Sequence, residues 1–133
     1  MRANAHLAFS GQCEEAFHYY ETHLGGKITR LLHYEGTPAQ NMMPADMANK
    51  VVHAQIKIGD SIIMGADSPP NRYTQAHGIA LTLETDTPDD AVRMFGALAD
   101  GGSVQMPMEK TFFAKKFGML RDRFGIPWMI ICE

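Results

Sequence analysis

The chain has 133 residues, a formal net charge of −3, 45% hydrophobic residues and 20% charged residues. These proportions are typical of an ordinary folded domain and exclude a disordered or fibrous protein. This length fits one domain that can bury a core without disulfides. No basic cluster exceeds the pair Lys115-Lys116, so we expect no nucleic-acid partner.

The lengths of the apolar runs and the positions of the cysteines indicate where in the cell the protein is expected. No apolar run approaches the roughly 20 residues that a bilayer span requires. The residues after Met1 show no signal-peptide core. The two cysteines, Cys13 and Cys132, lie near opposite ends of the chain and form no disulfide framework. We therefore expect a cytoplasmic protein with no membrane partner.

The first half of the chain predicts a strand followed by a helix. Leu7 and Phe9 alternate with His6, a period of two that is typical of a half-buried strand. Apolar residues then recur at the helical period, and Gly25-Gly26 ends the predicted helix, because the residue beyond a helix end often needs positive φ. Further strands are expected over residues 27–34, 51–58 and 61–64, with a tight turn at Gly59-Asp60.

The second half predicts the same order of elements. Ile79, Leu81 and Leu83 alternate with small or polar residues, which again indicates a strand. Thr87-Pro88 predicts a helix start, because a capping hydroxyl precedes a proline at the first helical position. Gly101-Gly102 ends that helix, and strands are expected over residues 103–110, 117–121 and 126–132.

This internal repeat predicts an α+β fold of two βαβββ modules, with a curved, mostly antiparallel sheet and the helices outside. We expect module one over residues 1–67, a linker over 68–76 and module two over 77–133, together forming one domain. Pro69-Pro70 marks the linker, since both prolines oppose regular structure. Each module alone leaves a sheet face uncovered, so the modules are expected to pair, within one chain or across a dimer, around a concave pocket.

The repeated plan resembles the vicinal oxygen chelate superfamily of glyoxalases, extradiol dioxygenases and bleomycin-resistance proteins. Three runs are similar to its PhnB-like proteins, and the resemblance covers essentially the whole chain. They are Phe9-Ser10-Gly11 with residues 15–20, His53-Ala54 with Gly59-Asp60-Ser61, and residues 122–129, Asp-Arg-Phe-Gly-Ile-Pro-Trp-Met. The resemblance implies a homodimer that binds a small molecule. PhnB-like proteins also carry a demethylubiquinone methyltransferase description, but the sequence has no glycine-rich strand-to-helix turn for a methyl-donor nucleotide.

The resemblance also implies positions for a divalent metal cofactor. In metal-dependent members, the ligands come from the first and last strands of each module, and His6 matches the first of these positions. Its expected counterpart in module two is Gly78, which cannot ligate, and Met129 stands where a glutamate is expected. A catalytic divalent ion usually needs three or more oxygen or nitrogen ligands. The ligand set is therefore incomplete, and His6 is alternatively a partly buried histidine that hydrogen-bonds inside the cavity.

Four further residues are candidates for ligand binding. His53 shares a strand face with Gln55, so it points either into the pocket or into solvent. Asp67 either orients His53 or a substrate group, or accepts hydrogen bonds as a turn or cap residue. Phe113 and Trp128 either form pocket walls or supply core area.

Two functions follow from these candidates. The first is a small-molecule-binding protein of PhnB-like type, with a degenerate metal site and no chemistry. The second is a metal-dependent lyase or isomerase of glyoxalase type, in which His6 or His53 is a general base or a remaining ligand. The sequence does not decide whether the chain is an enzyme.

Overall fold

The computed structural model describes residues 1–133 and has the α+β fold that the repeat predicts. The chain divides into two compact units, Met1–Gln75 and Ala76–Glu133. Each unit contains one helix and one open four-stranded sheet. The elements of the first unit are β1 (Ala5–Phe9), α1 (Cys13–Leu24), β2 (Lys27–His33), β3 (Val51–Ile58) and β4 (Ser61–Asp67). Those of the second are β5 (Leu81–Glu84), α2 (Pro88–Ala99), β6 (Ser103–Glu109), β7 (Lys116–Arg121) and β8 (Pro127–Cys132).

The two sheets have one topology. The strand order is β1-β4-β3-β2 in the first unit and β5-β8-β7-β6 in the second. The first strand of each unit lies parallel to the last, and the other two pairings are antiparallel. The internal repeat in the sequence is thus an internal repeat in the fold.

Local signals fix both helices where the sequence predicts them. α1 begins at Cys13 and ends before Gly25, whose φ of 70° is in the left-handed region that favours glycine. At the start of α2, the Thr87 hydroxyl accepts a hydrogen bond from the backbone N–H of Asp90 at 3.1 Å. Pro88 follows at the first helical position, where no intrahelical donor is required.

Each helix packs on one face of its own sheet through a glycine–aromatic contact. In the first unit, a methyl group at Gly65 of β4 would lie 2.8 Å from the Phe17 ring of α1. In the second, a methyl group at Gly118 of β7 would lie 2.6 Å from the Phe95 ring of α2. Both aromatic rings are buried, so the helix-facing side of each sheet forms the core of its unit. The opposite face of each sheet is not covered by the unit's helix.

Three details differ from the sequence expectations. β4 continues to Asp67 instead of ending at Met64, because β1 pairs with its residues 63–67. β5 begins at Leu81, so Ile79 lies before the strand and is 71% exposed. The long connection after β2 contains two short 3-10 helices, Pro38–Met42 and Ala45–Met47.

Neither α1 nor α2 is long and apolar enough to cross a bilayer.

Candidate functional site

The uncovered face of the first sheet carries a pair of histidines. His6 on β1 is paired in register with Met64 on β4, and Met64 is paired with Gln55 on β3. Paired residues on neighbouring strands project from the same face, and so do residues two apart on one strand. His6, Met64, Gln55 and His53 therefore share the face opposite α1. We call these four residues the histidine face.

The electrostatics of the histidine face favour a neutral imidazole. Burial lowers the pKa of His6 below its usual 6.5, and repulsion from His53 lowers it further. His6 is exposed to solvent, so a ligand can approach it. A neutral imidazole has one donor and one acceptor nitrogen and can receive a proton at neutral pH. The ring nitrogens of His6 and His53 can thus bind hydrogen-bonding groups on this face.

Asp67 lies on the other side of the sheet and has a structural role. Its carboxylate accepts hydrogen bonds from the backbone N–H groups of Cys13 and Val51, each at 2.9 Å. The residue is only 2% exposed. It therefore fixes the start of α1 to the start of β3, and it does not orient His53. Of the two roles that the sequence leaves open for Asp67, the structure gives it that of a cap acceptor.

Trp128 lies in the core of the second unit. It is 2% exposed, and its indole N–H donates to the Asp122 carboxylate at 2.9 Å. It is paired in register with Leu81 and Leu120, which both face α2. Core packing accounts for its side chain, and it does not reach the uncovered face of its sheet.

Phe113 lies beside the uncovered face of the second sheet. Its ring makes edge-to-face contacts with Phe112 and Phe117, with centroids 5.1 Å apart in both cases. Phe117 is paired in register with Ile131 on β8, and both project from the face opposite α2. Phe113 is 46% exposed, so it is available for contact with a ligand.

The strand register corrects the expected counterpart of His6. His6 pairs with Met64 on the last strand of the first unit, and Thr82 pairs with Met129 at the corresponding place in the second. Thr82 is therefore the counterpart, whereas Gly78 lies before β5 with a φ of +78°. The side chains at these four positions are one imidazole, one hydroxyl and two thioethers, which do not match the oxygen and nitrogen donors of a catalytic divalent ion. No three His, Cys, Asp or Glu side chains are grouped to hold a metal ion.

Glu84 is a charged residue of an uncovered face that was not identified from the sequence. It follows Thr82 by two residues on β5, so its exposed side chain projects from the same face. The alternation of Leu81 and Leu83 with Thr82 and Glu84 is the sequence signal that identifies it. The alternation expected from Ile79 was centred too early, because the strand begins at Leu81.

The repeated βαβββ units with open mixed sheets form a fold that is shared by solved structures of other proteins. Two solved structures share it over the full chain. Protein PA1353 from Pseudomonas aeruginosa is 41% identical with a TM-score of 0.91, over 100% of this chain and 98% of that one. The PhnB protein from Bacillus cereus, a putative 3-demethylubiquinone-9 3-methyltransferase, is 24% identical with a TM-score of 0.85, over 100% of both chains. The fosfomycin resistance protein FosX from Listeria monocytogenes shares the fold alone, at 6% identity and a TM-score of 0.67, over 100% of this chain and 93% of that one.

Sequence comparison gives the family. The family model described as 3-demethylubiquinone-9 3-methyltransferase matches residues 2–131. Protein YjdN from Escherichia coli strain K12 is 32% identical over 139 residues, which cover 98% of this chain and 94% of YjdN. The chain therefore belongs to this PhnB-like family, as the motifs of its sequence predict.

Proposed function

We propose that the chain binds a small molecule on the histidine face of its first unit, with His6 and His53 in direct contact with it. The observation that supports this most is the placement of two interacting imidazoles on the sheet face that α1 leaves uncovered. A histidine whose pKa is lowered by burial and by a neighbouring histidine is often found at a binding site. Such a site needs no metal ion.

The neighbouring side chains indicate the chemical class of this ligand. Gln55 offers both a donor and an acceptor, and the neutral form of His6 offers an acceptor nitrogen. Met64 lies between these residues and provides a polarizable apolar surface that adapts to ligand shape. The ligand is thus a small polar molecule with a hydrogen-bond donor and an apolar portion.

The test is a thermal-shift screen of the purified protein against a library of small polar metabolites. A ligand that binds the folded state raises the melting temperature in a concentration-dependent way. We expect at least one compound to do so, and expect His6→Gln and His53→Gln to weaken its binding about tenfold or more. His18→Gln is the control, because His18 lies on the exposed side of α1. A compound that binds equally well to both site variants, or a library without any binder, would refute the proposal.

A metal-dependent lyase or isomerase is the alternative, favoured only by the placement of two imidazoles on one sheet face. Elemental analysis of the purified protein separates the two functions. We expect no stoichiometric divalent metal and no turnover of the compound that binds. A stoichiometric nickel, zinc or manganese ion that His6→Ala removes would establish the alternative instead.

We do not propose the methyltransferase activity that the family description names. A glycine-rich strand-to-helix turn is typical of folds that bind a nucleotide cofactor, such as a methyl donor. The corresponding turns here are Ser10-Gly11-Gln12 before α1 and Thr85-Asp86-Thr87 before α2. Neither has more than one glycine.

We further propose that the chain forms a homodimer. β6 is an edge strand of the second sheet, and it exposes the apolar side chains of Val104 (50%) and Met106 (42%). An edge strand with exposed apolar side chains can pair with another chain. Light scattering after size-exclusion chromatography is expected to give twice the chain mass at micromolar concentration, and Val104→Asp is expected to shift the protein toward monomer. A wild-type protein that elutes only as a monomer would contradict this.

A further inference from the structure

A pocket lies in the first unit, and none of the four residues of the histidine face lines it. It has a volume of about 270 Å³ and lies between the end of β4 and the loop that holds the two 3-10 helices. Its walls include Tyr34, Met43, Ser68, Pro69 and Arg72. Ligand pockets commonly measure about 300 to 1,000 Å³, so this one fits a small ligand only.

Arg72 brings a positive charge to this pocket, and its exposed side chain forms no ion pair. It takes part in none of the five ion pairs of the chain. Its one side-chain contact is with the sulfur of Met43 at 3.9 Å, which does not neutralise a guanidinium. Asp67, the one acidic residue of the lining, uses both carboxylate oxygens to accept backbone hydrogen bonds. Most of the five N–H donors of Arg72 are thus available to a ligand.

The backbone around Arg72 is held in a defined turn. The N–H of Arg72 donates to the carbonyl of Pro69 at 2.9 Å, and the N–H of Tyr73 donates to the same carbonyl at 3.1 Å. Pro69 and Pro70 restrict the φ angles of the preceding segment. A guanidinium on a constrained turn loses less conformational freedom on binding than one on a mobile segment.

The pKa of Tyr34 indicates that the positive charge of Arg72 lies near the pocket wall. Burial and the negative charge of Asp67 raise the pKa of its hydroxyl, and the positive charge of Arg72 lowers it. The hydroxyl donates its proton to the backbone carbonyl of Asp67 at 2.9 Å, so its oxygen keeps only acceptor capacity. The donors that remain for a ligand are the guanidinium of Arg72 and the hydroxyl of Ser68.

We propose that this pocket binds a small oxyanion through Arg72, with a carboxylate as the preferred group. The planar fork of a guanidinium matches the two oxygens of a carboxylate and can also bind a phosphate. The Ser68 hydroxyl supplies a further donor beside it. This site is independent of the proposed function, since its residues are not those of the histidine face.

The test is an NMR titration of the full chain with acetate and, separately, with inorganic phosphate, at ionic strength held constant with chloride. The backbone amide signals of Ser68, Arg72 and Tyr34 are expected to shift and saturate with acetate. Phosphate is expected to bind more weakly, and chloride alone is expected to leave these signals in place.

Three variants make the result specific. Arg72→Gln is expected to weaken acetate binding about tenfold or more, because it removes a charge-assisted hydrogen bond. Arg72→Lys keeps the charge without the fork and is expected to lose acetate binding more than phosphate binding. Arg2→Gln, which removes one charge from an exposed position in the same unit, is the matched control and is expected to bind as the wild type does. Unchanged binding in Arg72→Gln, an equal loss in Arg2→Gln, or the absence of saturable shifts would overturn the proposal. Tighter binding of phosphate than of acetate would overturn the preference for a carboxylate.

Discussion

At the scale of single residues, two buried aspartates each organise the backbone at the end of a strand. Asp67 accepts hydrogen bonds from Cys13 and Val51, and the Asp122 carboxylate accepts them from the backbone of Phe124 and Ile126 and from the Trp128 indole. Each is less than 5% exposed. Buried carboxylates of this kind are stable only while their hydrogen bonds remain, because an unpaired buried charge is costly.

Asp122→Ala is expected to destabilise the protein by about 2 to 4 kcal/mol, because three buried donors lose their acceptor together. The free energy of unfolding in urea, followed by Trp128 fluorescence and by circular dichroism, measures this. Asp86→Ala is the control, since Asp86 is exposed, and it is expected to stay within about 0.5 kcal/mol of wild type. A loss below 1 kcal/mol for Asp122→Ala would show that the network contributes little.

His6 gives a prediction about pH. Its lowered pKa means that the unfolded chain binds a proton more readily than the folded chain does. The wild type should therefore lose stability as the pH falls through 6.5, the usual pKa of histidine, toward the lower value in the folded state. His6→Gln lacks this group, so the same acidification should cost it less stability.

NMR titration of the histidine ring protons tests the same point directly. The pKa of His6 is expected below 6.5, and His53→Gln is expected to raise it, because one of its two causes is removed. Burial remains in that variant, so the value should not return fully to that of a free histidine. A His6 that titrates at or above 6.5 in the wild type would contradict the effects of burial and of His53 on its pKa.

At the scale of elements, the approach of each helix to its sheet depends on a glycine. A methyl group at Gly65 would lie 2.8 Å from Cζ of Phe17 and 3.3 Å from Sγ of Cys13, both on the buried side of α1. Gly65→Ala is therefore expected to cost about 1 to 3 kcal/mol through overpacking. In a Phe17→Leu background the same change should cost less, because the ring that it meets is gone.

Gly96→Ala is the matched control for this prediction. A methyl group at Gly96 meets nothing within 4 Å, and the residue lies inside α2. The change should stabilise the protein by about 0.5 to 1 kcal/mol through helix propensity. Chemical denaturation of the four variants measures both effects. An equal cost for Gly65→Ala in both backgrounds would refute the contact.

Local patterns predict the elements well where the physical signal is itself local. Thr87 with Pro88 and the pair Gly25-Gly26 fix helix ends through backbone hydrogen bonding and φ, which depend on few neighbours. The end of β4 could not be predicted in this way. Its last residue, Asp67, is in the strand because β1 pairs with it and distant backbone groups bind its carboxylate.

At the scale of the whole molecule, the repeat predicts the topology but not the equivalence of single positions. Alternation alone leaves His53 pointing into the pocket or into solvent, and the strand register places it on the same sheet face as His6. The counterpart of His6 in the second unit can be identified only from the pairing of β5 with β8. That pairing gives Thr82 and not Gly78. Arg72 was not predicted at all, because its pocket forms only when the segment after β4 meets the loop after β2.

The proposed function predicts where a ligand lies in this molecule. A crystal structure of the protein with a compound from the thermal-shift screen is the most direct measurement. We expect density for the compound on the uncovered face of the first sheet, within hydrogen-bond distance of His6 or His53 and in contact with Met64. A compound bound elsewhere, with both imidazoles in contact only with solvent, would contradict the proposed function.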